Sequence, residues 1–515
     1  MLSAFSAGRS SSSAWWLIGG LTFASACSSE PQTPGNSGGA SNTGAGGATA
    51  TGGVTSSGGA NSAGGATGTT GGAAGSAGAP SAGGAAGASG GSSTGGASAG
   101  GASGSGGTSG SSGAGGSGGT SSTACERPVG TCSAPTVKVT EIDLGVTVTG
   151  YGSEWDTDPL PMAIAALPSG GSRIAVRGTN GQIYIGELDC NDQLVGTPFS
   201  VPGVDLQDLH ADEDGGVVML TRSATGSGSH QCGTGPLCGG TSAPCYDSLL
   251  VRFDNAGNEV WATPVTNLNS SLSGYQNGAR FVWGHYQHHG RIAFDGENYA
   301  AYFCIGITVQ NGSCVDIHEG DRMQVVSGSG SPITNHPDSF QVGCSHSWTT
   351  RMVWDPRTKH FVTVCATDNN CRIAQPSPYE TVATGTCDGT LFNGDLVLSS
   401  TPGYWAAWSQ GGQIRLEHFT NGASDQTISN AGASQHPHLV SYGPSHMLLT
   451  WESGGSMAAQ VRDSGTGATV GSQFTINVKD HNYLAFKAFP DGSAAYPASG
   501  SNSTSARIAR VMPCN

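Results

Sequence analysis

The feature that most constrains this chain is a phrase that it repeats. From Arg291 to Tyr302 (RIAFDGENYAAY) and from Arg351 to Val364 (RMVWDPRTKHFVTV), alternating apolar residues end on an aromatic, Phe294 or Trp354. Each then passes through Asp-Gly or Asp-Pro and resumes as a second apolar run, the chemistry of strand, tight turn and strand. The phrase returns as LPSGGSRIAV at Leu167, HADEDGGVVML around Ala211, SSTPGYWAAW near Ser400, VSYGPSHMLLTW at Tyr442 and AFPDGSAAY at Phe489, seven occurrences in all. A unit this small cannot bury its apolar face alone, so the repeats must pack on one another as an array.

Successive phrases lie roughly 40 to 60 residues apart with one gap near 80, the spacing of four-stranded propeller blades. Second hairpins follow at Gln182–Val201, Ser248–Val265, Asp321–Ile333, Gln413–Ile428 and Ala458–Ile476, which makes four strands per repeat. The last repeat stops one strand short after Ala506–Pro513, while an unmatched strand-like run spans Val137–Val148 near the start of the folded part. If the early strand completes the last blade, the ring has no open edge, and Cys514 would sit beside Cys125 or Cys132 as a staple. The expected fold is all-β, a seven-bladed β-propeller-like domain over residues 125–515; β-sandwich domains are the alternative, excluded only by spacing. Phe253–Trp261 (FDNAGNEVW) resembles the strand-turn-strand of many bacterial propellers of the quinoprotein-like kind.

Composition divides the 515 residues sharply. Between Pro31 and Ala124 there is no charged residue, no aromatic and one aliphatic β-branched residue, Val54. Such a segment has too little apolar surface to offset its conformational entropy, so residues 27–124 are expected to be a disordered Gly/Ser/Ala/Thr tether. As a flexible coil it would hold a domain on the order of 50–60 Å from its root. The net charge of −15 falls almost wholly on the folded part, whose four lysines are Lys138, Lys359, Lys479 and Lys487. No basic stripe exists, and nucleic acid is not an expected partner.

Residues 1–26 have the parts of an export signal: Arg9, the apolar stretch Ala14–Phe23, then Ala24, Ser25 and Ala26 before Cys27. The apolar stretch is too short to span a bilayer. The arrangement resembles bacterial lipoprotein signal peptides, although Ala24 stands where that family favours leucine. The resemblance implies that Cys27 is lipidated and anchors the chain in the outer membrane, facing outward, with Ser28 compatible with that sorting. Ordinary cleavage after Ala-Ser-Ala, giving a soluble secreted protein, is the alternative.

Fourteen cysteines in an exported chain point to disulfides. Hairpin-like spacing suggests the near pairs Cys304/Cys314 and Cys365/Cys371. His230, Cys232, Cys238 and Cys245 could form a zinc site, but their spacing and the oxidising compartment favour disulfides.

Histidines supply the candidate site. His285, His346, His436 and His481 each lie six to nine residues upstream of a turn aromatic, where a connecting loop enters an innermost strand, so their side chains are expected to converge at one mouth of the channel. His288, His289 and His438 thicken the cluster, and His318-Glu319-Gly320-Asp321 brings carboxylates to the same side. Such a set suits a divalent transition metal (zinc, copper or iron) or proton transfer near neutral pH. The plainer reading is hydrogen bonding to loop carbonyls. From residue 125 on there is no Gly-x-Ser-x-Gly elbow, no His-Glu-x-x-His and no phosphate-binding glycine loop. Two functions follow: a surface-displayed binding or adhesion module for a glycan, peptide or cell-surface ligand, or a metal-dependent lyase or hydrolase with the four histidines and Glu319 at its centre.

Overall fold

The computed structural model describes residues 125–150, 160–223, 247–266, 281–284, 290–311, 314–344, 349–367, 371–388, 390–420, 423–431 and 436–515. They belong to one compact unit, Gly118–Asn515. Cys27, the export signal, the tether and the cysteine-rich loop at 224–246 lie outside the described residues.

All seven phrases are the turn between a blade's innermost strand and the next. Blade one holds β2 (Met162–Ala166), β3 (Ser172–Arg177), β4 (Ile183–Leu188) and β5 (Leu194–Val201), after β1 (Val137–Asp143). Blade two holds β6 (Asp208–Ala211), β7 (Val217–Arg222), β8 (Ser248–Phe253) and β9 (Glu259–Pro264). Blade three is built from β10 (Phe281–Gly284), β11 (Arg291–Phe294), β12 (Asn298–Asn311) and β13 (Cys314–Ser327). Blade four holds β14 (Thr350–Asp355), β15 (His360–Thr367), β16 (Arg372–Pro376) and β17 (Tyr379–Thr384). Blade five holds β18 (Phe392–Leu398), β19 (Tyr404–Gln410), β20 (Gln413–Thr420) and β21 (Ala423–Ala431). Blade six holds β22 (His438–Tyr442), β23 (His446–Ser453), β24 (Ser456–Asp463) and β25 (Thr469–Ile476). In blade seven, β26 (Lys487–Ala488), β27 (Ala494–Ser499) and β28 (Ser505–Val511) are completed by β1 from the start of the domain, in the order β1-β28-β27-β26. The fold is therefore an all-β, seven-bladed β-propeller. No helix among the described residues is long and apolar enough to cross a membrane.

Burial explains why the inner strands read as apolar runs. A blade is covered on both faces by its neighbours, so strands such as β7 are buried nearly throughout, whereas the outer strands β5 and β9 are largely exposed. Alternation then assigns each residue to a partner blade. On β12, Tyr299, Ala301 and Phe303 pack with Val218 and Leu220 of blade two, while Ala300 and Tyr302 pack with Phe361 and Ala374 of blade four. The same holds between blades four and five and between five and six. One cluster runs from blade six through seven and one to blade two, so the apolar ring has no break there.

Closure is covalent as well as hydrogen-bonded. Val137 to Asp143 pair antiparallel with Val511 to Ser505, and Cys132 is bonded to Cys514. Gly471 sits at φ +71° against this segment, where a Cβ would strike the Ser133 carbonyl. Tyr442, buried at the turn of blade six, donates its hydroxyl to the Met512 carbonyl at 2.6 Å. Tyr442→Phe is expected to cost about 1–2 kcal/mol by orphaning that acceptor, a difference readable in urea denaturation.

Two expectations are corrected. The hairpin expected at Asp321–Ile333 is instead a long β12–β13 pair, beyond which, among the described residues, the bridges Met323–Phe340 and Val326–Pro332 continue the edge. That register sets Cys304 opposite Asp321 and Cys314 opposite Asn311, seven pairs along the ladder, too far for a bond. Cys365 is bonded to Cys344 and Cys371 to Cys387, in place of Cys365/Cys371, and Cys125 is bonded to Cys190. These bonds fit an oxidising, exported setting.

Candidate functional site

The inner strands place charge, not only histidine, where the connecting loops enter the channel. Asp208, Arg291, His438 and Lys487 are the first residues of β6, β11, β22 and β26, and Arg351 is the second of β14. Asp395 enters from β18, where the register slips between Asn393 and Leu396. Asp480 comes from the loop ahead of β26. These side chains form a buried hub.

His438 is its centre and is fully buried. Its Nδ1 lies 3.2 Å from Asp395 Oδ2, and its Nε2 lies 2.9 Å from Asp480 Oδ1. Asp395 Oδ1 faces Arg291 Nη2 at 3.2 Å and Arg351 Nε at 3.0 Å. Arg291 also donates to the Tyr483 carbonyl and Arg351 to the Asn482 carbonyl, which pins the Asp480 loop over the channel. On the far side Lys487 pairs with Asp208, whose other oxygen accepts the Ile292 N–H at 2.8 Å.

Electrostatics follow from this geometry. Burial opposes charge on His438, but Asp480 and Asp395 outweigh it and raise its pKa to about 9. Burial would lift Asp395, yet Arg291, His438 and Arg351 hold its carboxyl well below the usual range. Burial and the neighbouring Arg291 push Arg351 down to about 9. At neutral pH His438 is an imidazolium with both N–H groups directed at carboxylates, leaving no lone pair for a metal and no position for a base.

The expected histidines are placed unevenly. His285, His346, His288 and His289 lie outside the described residues. Glu319 and His318 fall on β13, with side chains outside the described set. His436 is buried, with Nδ1 3.2 Å from Glu452. Burial drives its pKa down to about 4 despite the attraction of Asp480, so it is neutral under ordinary conditions. His481 is buried beside Asp480, its backbone N–H donating to Asp480 Oδ1 at 2.7 Å and its Nδ1 accepting the Tyr483 N–H at 3.3 Å. His436 and His481 thus flank Asp480 while His438 contacts it directly. Among the described residues, the groups close enough to hold an ion are Cys132/His446/Cys514 and Asp321/Cys344/Cys365, and the cysteines of both are spent in disulfides.

Sequence reasoning looked too far upstream. The hub residues Asp208, Arg291 and Arg351 stand three positions before Ala211, Phe294 and Trp354; the two arginines open their phrases and Asp208 lies two residues ahead of its own. A charged residue in an otherwise apolar inner strand, repeated at one offset, was the available signal.

No family model matches the chain, and no curated protein matches it in sequence. Among solved structures it is similar to a chain of the mitotic checkpoint complex, with a TM-score of 0.38 and 11% identity over 76% of this chain and 97% of that one. It is also similar to the WD40 β-propeller domain of Doa1, with a TM-score of 0.38 and 12% identity over 71% and 96%. A protein of unknown function from Dyadobacter fermentans DSM 18053 gives 0.37 and 11% over 73% and 99%. The propeller assignment here rests on the sheet order and not on these likenesses.

Proposed function

We propose that the chain is a surface-displayed lipoprotein whose propeller acts as a binding or adhesion module, anchored through Cys27 and held off the outer membrane by residues 27–124. The observation that carries this reading is the hub. Every polar end of His438 is already committed to Asp395 or Asp480, so the channel centre serves as a buckle between blades, and recognition is left to loops and faces. The disulfides suit a domain that works outside the cell, and the net charge of −15 disfavours nucleic acid.

Two measurements test it. Labelled palmitate should enter the wild-type chain and not Cys27→Ser; equal labelling would remove the anchor. The purified exported chain should contain less than about 0.1 transition-metal ion per molecule by elemental analysis. A stoichiometric ion that is lost in His436→Ala would instead support the metal-dependent enzyme.

A further inference from the structure

A second site lies away from the hub. The turns after each first and third strand share the face opposite the connecting loops, and on that face a cleft of about 340 Å³ opens where the edge of blade three meets blades four and five. Asp338, Thr358, His360, Phe361, Gln375 and Tyr404 line it. We propose that this cleft binds a neutral sugar unit of a glycan. The proposal rests on the binding-module reading and names its ligand class.

Three features point to that chemistry. First, Asp338 is already occupied: its Oδ1 meets His360 Nδ1 at 2.7 Å and its Oδ2 accepts the Phe361 N–H at 2.9 Å. Asp338 therefore acts as a positioning residue. It fixes the ring of the half-exposed His360 through Nδ1 and leaves the opposite nitrogen turned away from Asp338 for a ligand hydroxyl. Second, Gln375 lines the cleft and adds an amide, its Nε2 donating to the Ser377 carbonyl at 3.4 Å, that can pair with a ligand hydroxyl. Third, among the described residues no lysine or arginine lines the cleft to neutralise an anion, and the Asp338 carboxylate has both oxygens engaged, which weakens its pull on a cation. The remaining wall, Phe361 with Val362 and two prolines, offers an apolar surface for the C–H face of a ring. An uncharged ring carrying several hydroxyls satisfies all three conditions. The volume is within the usual range for small-ligand sites, about 300–1,000 Å³.

The test titrates the full chain with glucose, galactose, mannose, N-acetylglucosamine and oligosaccharides ending in each, followed by saturation-transfer and ¹⁵N NMR. At least one neutral saccharide should bind, moving the His360 Nε2 resonance, with affinity at least ~10-fold weaker in His360→Ala and in Gln375→Leu. Gln375→Leu removes that amide and its long bond to the Ser377 carbonyl, so its urea midpoint is measured beside binding and should stay close to wild type while binding is lost. Tighter binding of oligosaccharides than of the free sugar would identify a glycan chain as the source, and the reverse would identify a free sugar and overturn the glycan assignment. Binding that is equal in wild type and both variants would overturn the cleft assignment and leave the module reading standing. No binding by any saccharide would also overturn it, and the metal analysis would then decide the module reading separately.

Discussion

His438→Gln is expected to lower the unfolding free energy by roughly 3–5 kcal/mol, because it leaves Asp395 and Asp480 buried without their shared cation. The effect should depend on pH in a definite direction. His438 is raised to about 9 in the folded chain, against about 6.5 when unfolded, so folding takes up a proton between these values. Its contribution is complete below about pH 6.5 and disappears as pH rises through about 9, an amount on the order of 3 kcal/mol. Urea midpoints of wild type and variant should therefore lie far apart at pH 6 and draw together by pH 10. A gap that widened with pH would show that the histidine is neutral in the fold.

Opening the Cys132–Cys514 bond should be the second large effect. These cysteines are 382 residues apart, and the chain-entropy model assigns a loop of that size about 6 kcal/mol of stabilisation through the unfolded state. The double Cys132→Ser, Cys514→Ser variant keeps the seven β1–β28 pairs and the Gly130 N–H to Pro513 carbonyl bond. It should still fold, with a markedly lower denaturation midpoint. Hydrogen exchange should then find β1 and β28 opening first, since the seam between the chain's two ends has lost its clamp. Uniform loss of protection across all blades would mean that the bond stabilises the wheel without acting at that seam.

These expectations also show which parts of the molecule its sequence exposes. The inner turns were legible because Asp and Gly there do local work. Asp295 Oδ1 accepts the backbone N–H groups of Glu297 and Asn298, and Asp355 Oδ1 accepts that of Arg357, contacts that need nothing distant. Closure was legible because an unmatched strand at one end met a missing strand at the other. Blade three was not, because β12 carries β11 and β10 end to end along one side, an arrangement set by pairing and invisible to a count of hairpins. Cysteine pairing failed for the same reason: Cys344, in the loop after β13, meets Cys365 of β15 only once blades three and four pack, and sequence distance does not report that.

The hub was half legible. His438 stood next to the expected His436, but its partners Asp395 and Asp480 are 43 and 42 residues away in sequence and reach it only once the ring has formed. The cost of burying a charged residue at the start of an inner strand is met by residues from other blades, which sequence order does not bring together.

The most direct test is the protonation state of His438 in the full-length chain by ¹⁵N NMR at pH 8. A structural buckle predicts that both ring nitrogens carry protons and that equimolar zinc moves neither resonance. A single protonated nitrogen at pH 8, or a zinc-induced shift at His438, would contradict it and return the channel mouth to metal chemistry.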